Sequence, residues 1–444
     1  MGAGLLESVL CRHWLHQPAL DQWQDAATVA AWVQVEQALA KAQAELGLIP
    51  QEAALEIAAI EQDRIDWPRL RADIAHQMHP FTPVLRQLED LCTPHAAGYL
   101  HWGATTQNIF DTASALQLQR THSIIDAQLH QALQSMAALA RQHRTTLQAG
   151  RTHGQHALPI TFGLKVAAWH AEIGRHRQRI RQSAIEDLVV VMGGAVGTFS
   201  AMGGQGRAVQ KRLAEMLGLA DGGIPMRSSV DRFAHHVSLL ALMGNTIEKI
   251  AREVVFMQRT EVAEAHESHH MGKMGSSTMA QKRNPSHALN MVVLAMRLRA
   301  SSHLLHEAMV CEKEGFASHA NLTDQTLAEA AVCAASLAAG LAHLVEGLSV
   351  DTAAMARNIT LTHGLIMSEA LMMHLGRAIG RHRAHKVLYE VTHAVLDKGQ
   401  TLAAALAEHP ALSGIIDPLD VERLIDPKNY IGEAAQMVDA QVGR

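Results

Sequence analysis

The feature that most constrains this chain is where its prolines fall. Of twelve prolines in 444 residues, only Pro159, Pro225 and Pro285 lie between Pro94 and Pro410. Proline removes a backbone donor and clashes with the turn before it, so their scarcity in the middle permits helices of roughly thirty residues or more. Alanine and leucine recur through that region, aromatic residues make up 4% of the chain, and Val/Ile/Thr alternation is scarce. Helix is therefore favoured over sheet.

The pattern predicts a helix from Ala26 to Leu46, ended by Gly47, and long helices over 112–147, 160–190, 228–264 and 286–347, the last with a break near Gly315. In 112–147, Leu129, Leu133, Met136 and Ala140 repeat at helical spacing, and ~1.5 Å per residue makes that element about 50 Å long. Apolar stripes of this length are buried only against each other, so the expected fold is all-α with a central bundle of long helices. Prolines cluster on either side of the bundle. The expected domains are an N-terminal helical domain over 1–111, the central bundle over 112–351 and a C-terminal helical domain over 352–444. The glycine-rich piece from Gly193 to Gly206 follows a helix, not a strand, and reads as a turn between helices, not a phosphate cradle.

Composition narrows the functions available. A formal net charge of −5 argues against a nucleic-acid partner, which needs a concentrated basic surface, while leaving room for a local basic pocket that takes a small anion. Cys11, Cys92, Cys311 and Cys333 are far apart and show no CxxC spacing, so neither a disulfide framework nor a cysteine zinc site is indicated. No stretch reads as a signal peptide or as the ~20 apolar residues of a membrane span. The expectation is a cytoplasmic protein without a membrane partner.

Three polar stretches interrupt the helical pattern. They are His101 to Thr112 (His-Trp-Gly-Ala-Thr-Thr-Gln-Asn-Ile-Phe-Asp-Thr), Gly150 to Ala157 (Gly-Arg-Thr-His-Gly-Gln-His-Ala) and Gly275 to Pro285 (Gly-Ser-Ser-Thr-Met-Ala-Gln-Lys-Arg-Asn-Pro). In the third, a glycine and two serines leave helical geometry easily and present hydroxyls and backbone N–H groups; Lys282 and Asn284 add a charge and an amide, and Pro285 can start a helix. That set suits an anion whose proton must be removed. Taken singly, each stretch also fits a flexible connector or a polar cap, with Asp111 or Thr112 in the cap role of the first.

Together the three stretches resemble the signatures of the fumarase/aspartase superfamily, in order and at similar separation. The third matches Gly-Ser-Ser-x-Met-Pro-x-Lys-x-Asn-Pro with Ala280 in place of the proline. The second matches Gly-Arg-Thr-His-x-Gln-x-Ala-x-Pro, and the first matches Gly-x-Thr-Ser-x-Asp-x-x-Asp-Thr-Ala with Asn108 in place of an aspartate. Pro159 to Lys165, Gly193 to Thr198, Thr260 to Val262, Gly364 to Ala370 and Asp426 to Gly432 look like the adenylosuccinate lyase and 3-carboxy-cis,cis-muconate cycloisomerase branch.

The resemblance implies a homotetramer with a twenty-helix core, each active site drawing its three regions from three subunits. It implies a cofactor-independent, reversible β-elimination from a small anionic polycarboxylate such as a succinyl adduct, releasing fumarate or a related unsaturated acid. Ser276 would remove the proton next to a carboxylate, Lys282 would help hold the resulting charge, and His153 would serve the leaving group. Thr105, Thr106, Gln107, Arg151, Thr152, Gln155, Ser277, Met279 and Asn284 would bind substrate. The signature usually has Glu four residues after its proline, orienting the catalytic histidine; here that residue is Leu289, as is general in the cycloisomerases, whereas Thr152-His153 is typical of adenylosuccinate lyase. A cycloisomerase on the same scaffold is the alternative, and an inactive structural relative is a further one. His266-Glu-Ser-His-His270 also satisfies H-E-x-x-H, which on a helix would build a zinc hydrolase. It has no evident third ligand, so no metal is expected, and these histidines read as a polar rim for an anionic substrate.

Overall fold

The computed structural model describes residues 6–269 and 278–443. Ser276, Ser277 and His270 therefore lie outside the described residues. The elements used below are α1 (Asp25–Glu45), α2 (Thr106–Gln142), the hairpin β1 (Leu147–Thr152) and β2 (Gln155–Thr161), α3 (Phe162–Asp187), α4 (Asp231–Met257), α5 (Ser286–Ala308), α6 (Ala317–Glu346) and α7 (Thr352–Thr360).

The all-α expectation holds, with corrections at the ends of the helices. α2 begins six residues earlier than expected, at Thr106, because Asn108 and Thr105 cap it locally. The region 286–347 is two helices, broken around Gly315, whose φ of 152° lies in the glycine range. The larger correction is the hairpin. The second polar stretch is an antiparallel pair, in register Leu147↔Thr161 to Thr152↔Gln155, not the cap of a helix starting at 160.

The chain divides into two compact units. One takes Met1–His130, Arg175–Glu248 and Asn290–Gly340; the other takes Gln131–Gly174, Lys249–Leu289 and Leu341–Arg444. Each of the five long helices supplies residues to both.

In the first unit, Trp32 of α1 stacks on Phe110 of α2 with ring centroids 4.7 Å apart, and Phe81 meets both rings edge-on. Gly244 lets three long helices approach: a Cβ there would stand 3.1 Å from Leu298 of α5 and 3.4 Å from Leu337 of α6. α6 is apolar and long enough to cross a membrane by length and composition, with mean hydropathy 1.6, which the sequence reading did not anticipate; 78% of that window is buried inside the fold, as in a core helix.

In the second unit, Ala149 of β1 packs with Ile359 of α7, Ile366, Met367 and Ala370, which seats the base of the hairpin. A larger C-terminal cluster forms around Leu371, Leu375, Val387, Val391 and Leu406. α5 carries a different signal: Leu289, Val293, Met296 and Leu304 are 46, 40, 47 and 42% exposed. With Ala300 they recur every three or four residues, an exposed apolar stripe among the described residues.

Candidate active site

The second polar stretch is built around a two-residue turn. His153 and Gly154 have φ of 51° and 79°, the all-positive geometry that suits the twist of a tight hairpin and is normally taken by Asn-Gly. A histidine in that conformation carries steric strain of about 1 kcal/mol, more than a turn alone would select. Its ring stands at the exposed tip of the hairpin, flanked by exposed Thr152 and Gln155. Gly150 is required one step back, where a Cβ would meet the Leu158 carbonyl at 2.8 Å and Ile160 at 2.9 Å.

Below the tip, Arg151 is drawn inward. Its guanidinium forks onto Glu264, Nη1 donating to Oε2 at 3.0 Å and Nη2 to Oε1 at 2.5 Å, and lies 5.2 Å from the Phe256 ring centroid. Glu264 is fully buried and also accepts from Gln148 Nε2 and Asn358 Nδ2, each at 2.8 Å. Burial pushes its carboxyl up, but the bonds from Arg151, Asn358 and Gln148 outweigh that and hold it below the usual carboxylate range.

The first polar stretch opens α2. The Thr105 N–H donates to Asn108 Oδ1 at 3.2 Å, and the same oxygen accepts the Gly194 N–H at 2.9 Å. Asn108 thus ties this stretch to the glycine-rich piece, which follows the two-residue strand Val189–Val190 and not a helix directly, and leads into a helix over Gly206–Leu217. Thr106 is half-buried at the first position of α2. Gln107 is buried, and its Nε2 donates to Asp111 Oδ1 at 2.7 Å. Gln107 and Arg151, both expected among the substrate-binding side chains, are therefore engaged by carboxylates of the chain itself.

Of the third stretch, Met279, Lys282 and Asn284 are described. Met279 is 44% exposed, and its carbonyl accepts the Lys282 N–H at 3.1 Å. The Lys282 side chain is exposed; Asn284 is half-buried, and its carbonyl accepts the Ser286 N–H as α5 begins. Asn284 lines a cavity of about 370 Å³ together with Gln258, Thr260, His266, His269 and Arg283. Polar groups predominate there, with Arg283 as the cation, and Glu267 also lines it with its carboxylate engaged at the start of α5.

The described residues of the H-E-x-x-H segment, 266–269, take no part in a helix. Ala265–His266 is a two-residue strand paired with Ser349–Val350. Glu267 instead caps α5, its Oε1 accepting the His287 N–H at 3.2 Å and its Oε2 the Ala288 N–H at 3.1 Å. Gln258 fixes both flanks of the third stretch, accepting the Glu267 N–H at 2.9 Å and donating to the Arg283 carbonyl at 3.1 Å. Sequence reasoning missed Glu264, Gln258 and the capping role of Glu267. The only trace was Thr260-Glu-Val262, quoted for its resemblance, which ends two residues before Glu264.

Comparison with known proteins accounts for nearly the whole chain. A family model described as Lyase matches residues 16–299, and one described as Adenylosuccinate lyase C-terminus matches 364–441. The chain is 34% identical over 418 residues to N-acetyl-S-(2-succino)cysteine lyase of Dickeya dadantii, covering 94% of this chain and 92% of that one. It is 35% identical over 422 residues to 3-carboxy-cis,cis-muconate cycloisomerase of Bradyrhizobium diazoefficiens, covering 94 and 93%. The crystal structure of a fumarate lyase from Mesorhizobium sp. BNC1 superimposes with a TM-score of 0.90 at 32% identity, over 97% of this chain and 98% of that one.

Proposed function

Because the chain belongs to the fumarase/aspartase superfamily of lyases, we propose that it catalyses a reversible β-elimination from a small polycarboxylate, a succinyl adduct, releasing fumarate or a related unsaturated acid. The observation that carries this reading is His153, a strained histidine held at the exposed tip of a braced hairpin inside the superfamily's own Gly-Arg-Thr-His motif. A core or purely structural histidine would have no reason to be there.

Ser276 is the base. A serine hydroxyl is too weak a base unless its oxyanion is stabilised, which falls to backbone N–H groups of its loop and to Lys282 in a site closed to water. Proton removal next to a carboxylate leaves two negative charges on one carboxyl group. Lys282 and Asn284 hold that charge, each such preorganised donor typically contributing ~3 to 4 kcal/mol. His153 protonates the leaving group or orients the group that does. Thr105, Thr106, Thr152, Gln155, Ser277 and Met279 contact the substrate, while Gln107 and Arg151 act from behind through the carboxylates they bind. The scheme needs no cofactor.

The exposed stripe of α5 supports the homotetramer, since partner copies of the same helix are what would cover it. Each site then takes its three stretches from three chains, and the projecting hairpin is suited to reach a neighbour. Leu289 favours one second reading. It stands on that stripe where the superfamily usually has the glutamate partner of its histidine, and the cycloisomerases generally lack that glutamate; an intramolecular addition on a carboxymuconate would use the same base and charge stabilisation. The test is an absorbance screen for a fumarate-type double bond across S-succinyl thiols, succinyl nucleotides, succinyl amino acids and carboxymuconate. Turnover of a succinyl adduct is expected; turnover of carboxymuconate alone would replace elimination with cycloisomerisation.

A further inference from the structure

We propose that Glu264 is a positioning residue for His153, acting through Arg151. This rests on the reading of His153 as an active-site group.

Glu264 follows α4 and touches no surface. Its two oxygens take four bonds, two from Arg151, one from Gln148 and one from Asn358, which fills the acceptor sites of a carboxylate. Three of those four donors project from β1, the strand that leads to His153. Arg151 is two residues from the histidine, ~7 Å along an extended strand, and the only paired residues beyond it are Thr152 and Gln155. The Arg151 fork is thus the last side-chain anchor before the tip. A bidentate fork fixes orientation as well as distance, which a single hydrogen bond or an apolar contact does not.

The other end of the same segment is anchored to the third stretch. The Glu264 N–H donates to the Met257 carbonyl at 2.9 Å and the Asp351 N–H donates to the Glu264 carbonyl at 3.0 Å, so its backbone is fixed on both sides. Three residues on, Glu267 caps α5, and Gln258 joins Glu267 to Arg283, the neighbour of Lys282 and Asn284. Residues 264–267 therefore grip the His153 hairpin at one end and the stem of the Lys282–Asn284 stretch at the other. A buried ion pair wanted only for stability is replaceable by apolar packing, and needs no such set of oriented donors.

The experiment is a double-mutant cycle on the purified full chain, read as kcat and KM on whichever substrate the screen identifies. Glu264→Gln, folded and assembled by circular dichroism and light scattering, should lower kcat about 10²-fold, the usual consequence of displacing a catalytic group by ~1 Å, with KM changed less than about threefold. In a His153→Ala background the same substitution should change kcat by less than about twofold, because the group it positions is gone. Arg151→Lys keeps the charge and loses the fork, so it should reproduce the loss in the parent and be silent beside His153→Ala; it also carries the test if Glu264→Gln does not fold. Equal losses in both backgrounds would overturn the proposal in favour of a purely stabilising ion pair. Full activity in His153→Ala itself would overturn the role of His153, and this proposal with it.

Discussion

Asp111 and Asp324 share the Gln107 side chain as a hydrogen-bond partner, one carboxylate from α2 and one from α6. Asp111 is buried and Asp324 half-buried. Burial, then the charge of Asp324, raises Asp111 to about 7 against the opposing Gln107 bond and Arg227; burial raises Asp324 to about 7 as well. An acid whose pKa is higher in the folded chain keeps a proton there that the unfolded chain releases. Its effect is therefore to lower stability as pH rises from the ordinary value of 3.8 towards 7. Asp111→Asn removes one of the two charges and keeps an oxygen for Gln107. It should raise stability at pH 8 by on the order of 2 kcal/mol, discounted from the full ~1.4 kcal/mol per pKa unit because the pair shares one unfavourable charge, and have progressively less effect as pH falls towards the ordinary value of 3.8. Thermal melts at pH 8 and near pH 4 check this, and equal shifts at both would show that the fold does not raise the Asp111 carboxyl.

Ser276→Ala should abolish turnover while leaving the melt and the assembly unchanged, since the residue is proposed as the base on its match to the Gly-Ser-Ser signature. Loss of a general base typically lowers the rate by ~10² to 10⁴. A purified variant that kept more than about a tenth of the parent rate would remove Ser276 from the mechanism.

Shared sites make a prediction that a monomeric enzyme cannot meet. His153→Ala and Ser276→Ala chains, each strongly impaired alone, should regain a fraction of activity when unfolded together and reassembled, because some sites would draw both intact residues from different chains. Met296→Glu, on the exposed stripe of α5, should push the same assembly towards smaller species on light scattering and lower activity with it. An active monomer would count against both.

The parts of this fold that could be read from sequence are those written locally. The proline-poor middle and Gly315 gave the long helices and the break between α5 and α6, and the superfamily motifs supplied the residues proposed for the site. The hairpin was missed because Gly150, Gly154 and Pro159 read as helix breakers, and because its turn carries His153 where Asn would normally announce it. Glu264 was missed for a different reason. Its pairing with Arg151 spans 113 residues, and nothing in the neighbourhood of either residue specifies the other. The same holds for Gln107, whose part in holding Asp111 and Asp324 depends on how α2 meets α6.

The H-E-x-x-H segment gives the sharpest division between mechanisms, because its glutamate has a job in the fold. A zinc hydrolase would need His266 and His270 on one helical face with Glu267 free to act as base. In the described residues His266 lies in a strand, and both oxygens of Glu267 accept backbone N–H groups at the start of α5. Glu267→Ala leaves those donors without their carboxylate and should lower stability by ~1 to 2 kcal/mol, as loss of a helix cap typically does; Glu267→Gln, which keeps one oxygen, should lose less. His266→Ala should at most weaken substrate binding, as expected of a side chain lining the cavity beside Asn284. Prolonged chelation should leave turnover unchanged, since in the proposed mechanism Lys282, Asn284 and backbone N–H groups carry the developing charge. Elemental analysis combined with chelation checks this. A stoichiometric zinc whose removal stops turnover, with Glu267→Gln inactive yet melting like the parent, would overturn the serine mechanism.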